Sequence, residues 1–124
     1  MSILVVEDDR MIRAALVRVL LQTGHAVLEA ANGAEALTCL RTARPRPSLI
    51  LLDLMMPVMD GVQFRQAQLA DPALAAIPVV VLSAVSQTEA QATELRAAAV
   101  LLKPVDVVDL LDTVARVMGL HDAG

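Results

Sequence analysis

Aromatic side chains are nearly missing: the 124 residues include one Phe and neither Trp nor Tyr. Ligand modes that need aromatic stacking, such as flavin sandwiches and single-stranded nucleic-acid platforms, are disfavoured from the outset. Cysteine is as scarce. Cys39 stands alone, so it can form neither an internal disulfide nor a thiolate metal cage, which suits a reducing compartment. Its place in an apolar helical pattern predicts a small core residue. Positive charge is in deficit: the net charge is −4 and the pI near 5.0, which argues against direct nucleic-acid binding and against a polybasic membrane contact. No apolar run approaches the length of a membrane span. The N-terminus enters a strand and an acidic cluster rather than a leader, so a cytoplasmic location is expected. Lysine occurs once, as Lys103, against nine arginines.

What is present in quantity is aliphatic. Hydrophobic residues make up 56% of the chain, ample for a core, and the length fits one compact domain, expected to span residues 1–124. Ser2 to Val6 is a β-branched apolar run without helical period and reads as a buried strand, ending abruptly in Glu7, Asp8 and Asp9. From Arg10 to Thr23 the period becomes helical, with Ile12, Leu16, Val19 and Leu20 on one face and Gly24 as the stop. Asp9 reads as an early-helix charge favoured by the macrodipole. Ala26 to Ala30 is a second strand, and Asn32-Gly33 turns into a helix over Ala34 to Ala43, ended by Pro45 and Pro47. Ser48 to Leu52 is a third strand, terminated by Asp53.

Asp60 with Gln63 forms a capping box for a helix to about Ala70. Val79 to Leu82 is a fourth strand ending at Ser83, and Ser86 with Glu89 opens a helix to about Ala97. Val100 to Leu102 is a fifth strand ending at Lys103-Pro104. Asp106 caps a last helix with Val107, Leu110, Leu111, Val114 and Met118 on its apolar face and Gly119 as its stop. Five strands alternating with five helices predict an α/β fold, an open doubly wound parallel sheet covered on both faces.

In such a sheet, ligands bind beyond the carboxyl ends of the strands. Strand one ends in Glu7 and Asp8, strand three in Asp53, strand four in Ser83 and strand five in Lys103. Three carboxylates converging on one rim repel each other unless a cation intervenes. An all-oxygen, partly hydrated acidic site suits Mg²⁺. A carboxylate beside that ion can act as nucleophile toward an activated phosphoryl group. The ammonium of Lys103 would neutralise charge on the transferring group, and the Ser83 hydroxyl would bind one of its oxygens. Taken singly, each residue has a plain alternative as a turn, cap or loop residue. Their joint placement at four of five strand ends, with the only lysine among them, is what points to chemistry.

Four stretches, Ile3 to Asp9 (ILVVEDD), Leu49 to Gly61 (LILLDLMMPVMDG), Val79 to Ala84 (VVVLSA) and Leu101 to Pro104 (LLKP), resemble the receiver domain of bacterial two-component response regulators, of the chemotaxis-regulator-like kind. The resemblance covers essentially the whole chain. It implies a flavodoxin-like sheet of order 2-1-3-4-5 and a phosphorylation switch rather than an enzyme. Asp53 would be the phosphoacceptor. Asp8, Asp53 and the backbone carbonyl of Met55 would bind Mg²⁺ directly, and Glu7 would do so through water. Ser83 would be the switch hydroxyl, and Lys103 the lysine before a cis-prone proline. The implied partners are a sensor histidine kinase or phosphotransfer protein as donor and a downstream protein target. Two departures stand out: family members usually carry Tyr or Phe three residues before the lysine, where this chain has Val100, and Arg96 to Ala99 lacks the usual Gly-Ala turn.

Rival readings remain. A flavodoxin-like electron carrier would need a hydroxyl- and Gly-rich phosphate loop where Glu7, Asp8 and Asp9 stand. A Mg²⁺-dependent phosphatase would want an aspartate at Met55. A pseudo-receiver, a phosphorylation-independent interaction module, would keep the acidic site without its chemistry.

Overall fold

The computed structural model describes residues 2–56, 58–83, 93 and 95–122. Strands β1 (Ser2–Val6), β2 (Ala26–Ala30), β3 (Leu49–Asp53), β4 (Val79–Ser83) and β5 (Ala99–Leu102) form one parallel sheet of order β2-β1-β3-β4-β5. Four helices are found among the described residues: α1 (Arg10–Gln22), α2 (Gly33–Thr42), α3 (Gly61–Ala70) and α4 (Val107–Asp122). The helix expected from Ser86 to about Ala97, with its Glu89 capping box, lies largely outside the described residues; of its expected last turn, residues 95–97 are not helical.

The strands are apolar on both sides because helices cover both sides. Their period of two sorts alternate residues into two layers. Leu4, Val6, Ile50, Leu52, Val79 and Val81 face α2 and α3, packing with Leu37, Leu40 and Phe64. Ile3, Val5, Leu49, Leu51, Val80 and Leu82 face α1 and α4, packing with Leu16, Leu20, Leu110 and Val114. Central strands β3 and β4 are buried at every position, so a one-residue slip in either would exchange the contents of the two layers. Cys39 is half-buried against the first layer, as expected of a small core residue, and burial pushes its thiol pKa up.

The helix ends follow their local chemistry. Asp9 is the N-cap of α1, its carboxylate accepting from the Met11 and Ile12 N–H groups, rather than a charge within the first turn. It satisfies two of the donors a helix start leaves unpaired, which is worth more than a dipole interaction alone. The Asp60 and Gln63 capping box on α3 is formed on both sides. Asp106 Oδ1 accepts from Val108 and Asp109 at the start of α4. The expected stop at Gly119 is corrected: α4 continues to Asp122. A glycine inside a helix costs only about 1 kcal/mol, and it ends one mainly by adopting positive φ. Gly24, at φ 90, does so after α1, whereas Gly119 does not. The apolar face of α4 is also shifted from expectation. Leu110, Val114, Val117 and Met118 are buried, while Val107 is half exposed and Leu111 only partly buried.

Candidate functional site

β1 has β2 on one side and β3 on the other, so the crossovers leave it in opposite directions and open a crevice at its carboxyl end. The strand ends bring Glu7, Asp8, Asp53 and Lys103 together there. Carboxylate oxygens of Glu7, Asp8 and Asp53 all lie within 4.8 Å of one another. Glu7 and Asp53 are buried, and Asp8 is exposed at the mouth. Lys103 Nζ donates to Glu7 Oε1 at 2.8 Å and sits 3.1 Å from Asp53 Oδ2. The other Glu7 oxygen, Oε2, accepts from the Asp9 N–H at 3.2 Å, and Asp53 Oδ1 accepts from the Met55 N–H at 3.2 Å. Both oxygens of Glu7 and of Asp53 therefore have a partner from the chain. No described residue hydrogen-bonds the Asp8 carboxylate.

Burial pulls the Lys103 ammonium toward neutrality, but its hydrogen bonds to Glu7 and Asp53, together with their charges, outweigh that and leave its pKa above the ordinary lysine value. It is a fixed cation at neutral pH. One ammonium against three carboxylates still leaves an excess of negative charge. Two like charges at about 4.8 Å repel by roughly 3 kcal/mol at an effective dielectric near 20. The donor set is all oxygen, hard, and open to water on the Asp8 side. That combination fits a small divalent cation of the Mg²⁺ type.

Ser83 is buried at the end of β4, opposite Leu102, and its carbonyl accepts from the Lys103 N–H at 2.7 Å. The backbone thus ties the serine and the lysine to each other. The Lys103-Pro104 bond is cis. Met55 touches the site through its N–H, while its side chain points largely into solvent. Val85, two residues beyond Ser83, lies outside the described residues. Gly61 is needed where it is: a Cβ there would sit 2.6 Å from the Asp53 carbonyl oxygen and 2.7 Å from Leu54 Cα, so any side chain would displace the strand end that carries Asp53.

Sequence reasoning missed Arg13. From the first turns of α1, its Nη1 donates to the Glu7 carbonyl at 2.7 Å and its Nε to Glu29 Oε1 at 3.2 Å. The available signal was an arginine one helical turn past the acidic cluster, an ambiguous sign in a chain with nine arginines. Of the exposed apolar residues, Ile12 was expected in the core. It instead borders a shallow apolar groove of about 240 Å³ between α1 and α4, with Lys103 and Pro104 on its wall.

An open doubly wound domain with a buried acid pair and a lysine along the carboxyl rim of its sheet has the arrangement of a receiver-type signalling module. Residues 3–115 match the family described as response regulator receiver domain, and the chain belongs to that family. It is 32% identical over 118 residues to protein PilH of Pseudomonas aeruginosa, covering 94% of this chain and 96% of that one. It is 41% identical over 120 residues to the transcriptional regulatory protein PrrA of Mycobacterium tuberculosis, covering 95% of this chain but 48% of the relative. The crystal structure of the chemotaxis response regulator CheY4 of Vibrio cholerae superposes with a TM-score of 0.85 at 30% identity, covering 94% of this chain and 97% of that one. The chain spans less than half the length of several curated relatives it matches, down to 18% of protein-glutamate methylesterase/protein-glutamine glutaminase 3 of Hahella chejuensis. No helix among the described residues is long and apolar enough to cross a membrane.

Proposed function

We propose that residues 1–124 act as one receiver domain in which Asp53 accepts a phosphoryl group from a sensor histidine kinase or a phosphotransfer protein and thereby changes binding to a downstream protein. The observation that carries this reading is the Lys103 ammonium shared between Glu7 at 2.8 Å and Asp53 at 3.1 Å, inside a cluster of three carboxylates. A carboxylate gripped at both oxygens has a fixed direction of attack. An Asp53 oxygen forms the new bond to phosphorus as the bond from phosphorus to the donor's imidazole nitrogen breaks, and the imidazole leaves as the neutral base after protonation. Lys103, already cationic, moves its contacts from carboxylate to phosphoryl oxygens as charge shifts outward. Ser83, tied to Lys103 through the backbone, supplies a hydroxyl beside them.

Mg²⁺, when bound, would neutralise the phosphoryl oxygens in the transition state. Asp8, Asp53 and the Met55 carbonyl are its proposed protein ligands. Glu7 is proposed to contact the ion through water, as the resemblance to the family implies. No nucleic acid or membrane is required by this mechanism.

The test is radiolabelled acetyl phosphate in millimolar Mg²⁺ with wild type and Asp53→Asn. Wild type should incorporate label and the variant none, with unchanged circular dichroism. Equal labelling, with the modified peptide mapping elsewhere, sinks the assignment. No labelling of wild type at any Mg²⁺ concentration would make the domain a phosphorylation-independent interaction module.

A further inference from the structure

The last carbonyl of the β1 segment has no strand to bond to. Val6 pairs with Ala30, the end of β2, and the Glu7 N–H still reaches the Ala30 carbonyl at 3.1 Å. Beyond that point β2 has stopped: the Ala31 N–H turns to Glu35 Oε1 at 3.1 Å, and Asn32 caps α2. The Glu7 carbonyl is left past the end of the ladder, where an unpaired oxygen would be costly. Arg13 takes it with a short charge-assisted bond of 2.7 Å, and is itself oriented by the 3.2 Å bond to Glu29.

That oxygen belongs to the peptide joining Glu7 to Asp8. A peptide unit is planar, so fixing its oxygen fixes the plane from which the Asp8 side chain departs. The neighbours are held by other means: the Glu7 carboxylate by Lys103 and the Asp9 N–H, and Asp9 by its cap on α1. Among the described residues the Asp8 carboxylate has no partner, so its aim depends on its backbone. We infer that Arg13 is a positioning residue for the acidic site, directing the Asp8 carboxylate toward a divalent cation by holding the Glu7–Asp8 peptide. The inference rests on the reading of Glu7, Asp8 and Asp53 as a Mg²⁺ site. The guanidinium suits the task because its fork serves the carbonyl and Glu29 together, which a single ammonium point charge does less well.

The experiment is a Mg²⁺ titration of the full chain followed by amide NMR shifts, with the melting temperature of the metal-free protein measured in parallel. Arg13→Met should weaken Mg²⁺ affinity by about tenfold, the lower end of losses seen when a group behind a metal ligand is removed. Arg13→Lys, which keeps one donor for the Glu7 carbonyl, should recover most of that loss. Glu29→Gln, which keeps an oxygen acceptor for Arg13, should bind Mg²⁺ like wild type. The inference is overturned if Arg13→Met binds Mg²⁺ as wild type does. It is also overturned if the loss follows the fall in melting temperature and Arg13→Lys does not restore it. Asp8→Asn with wild-type affinity would instead overturn the metal-site reading, and the inference with it.

Discussion

Replacing Arg65 with Met removes a buried cation that has no carboxylate among its hydrogen-bond partners in the described residues. From α3, Arg65 Nε donates to the Leu95 carbonyl at 2.9 Å, Nη2 to the Arg96 carbonyl at 3.1 Å, and Nη1 to Gln68 Oε1 at 2.7 Å. Gln68, also buried, passes the network on through Nε2 to the Leu74 and Ile77 carbonyls at 2.9 and 3.0 Å. The guanidinium and the amide thus fasten α3 to the chain just before β5 and just before β4. Burial, and then the charge of Arg96, lower the Arg65 pKa, but from so high a starting value that it stays protonated at neutral pH. Hydrogen bonds to a charged group contribute about 1.5–3 kcal/mol each, and three acceptors would lose their donor together. Relief of the buried charge offsets part of this, and Met keeps the apolar stem packed. The net loss is about 3 kcal/mol, within the range for breaking a buried polar network. With an unfolding entropy of about 2.1 cal/mol/K per residue, a 124-residue domain loses roughly 11 °C in melting temperature for that change. Far-UV circular dichroism is the suitable assay, since the chain has no Trp or Tyr to report by fluorescence. Arg65→Lys should fall in between, because one ammonium cannot reach three acceptors in two directions. A drop below about 3 °C for Arg65→Met would refute the reasoning, since it would mean that the network's net contribution is under about 1 kcal/mol.

Three further outcomes follow from other parts of the molecule. Lys103→Arg should fold, yet show a much reduced change in amide shifts on adding beryllofluoride with Mg²⁺, because a planar fork does not fit contacts of 2.8 and 3.1 Å to two buried carboxylates; a wild-type response would return Lys103 to the role of an ordinary loop residue. Val58 is β-branched, strongly exposed and held at φ 68, so Val58→Gly should relieve left-handed strain of about 1 kcal/mol and raise the melting temperature by a few degrees, and an unchanged or lower value would contradict it. Burial raises the Cys39 pKa, so the native thiol should alkylate more slowly at pH 8 than the urea-unfolded chain. Since the folded value lies above the ordinary 9.0, the linked stability is complete below pH 9 and is lost as pH rises through the folded value; equal alkylation rates in the two states would show that burial does not protect it.

Four of the strand ends were legible because the sheet's chemistry changes abruptly there: a continuous aliphatic run stops at Glu7, at Asp53, at Ser83 and at Lys103. β1 and β2 stand at their expected bounds and the other strands within a residue of theirs. Gly119 was misread because a glycine near the end of an apolar period signals a stop only when it leaves helical φ, which composition does not reveal. Asp9 was misread because a cap and a first-turn charge use the same residue types one position apart. Arg13, Arg65 and Gln68 were not legible as partners. Each acts on backbone carbonyls, and a carbonyl left over at the end of a ladder depends on where the neighbouring strand stops. That information is carried by the register of β1 against β2, or of α3 against residues 95–96, and by no single residue.

Val100 is the point at which the site's chemistry and its readout separate. It pairs with Val81 in the sheet and packs partly buried against the layer under α2 and α3. A valine has one side-chain torsion and a strong preference at it, so it offers no inward and outward pair of states of the sort a larger side chain could exchange. It does not touch the chemistry, because Lys103 reaches Glu7 and Asp53 from beyond the strand end. One connection that joins Lys103 to the rest of the sheet is the 2.7 Å bond from its N–H to the Ser83 carbonyl. On the proposed mechanism, a phosphoryl group on Asp53 draws the Lys103 ammonium and the Ser83 hydroxyl together, and these two residues already share a backbone link. The displacement then enters the chain directly after Ser83, at the opposite end of the connecting segment from the carbonyls of Leu95 and Arg96 that Arg65 holds in place. On that mechanism no rotating side chain is needed at position 100.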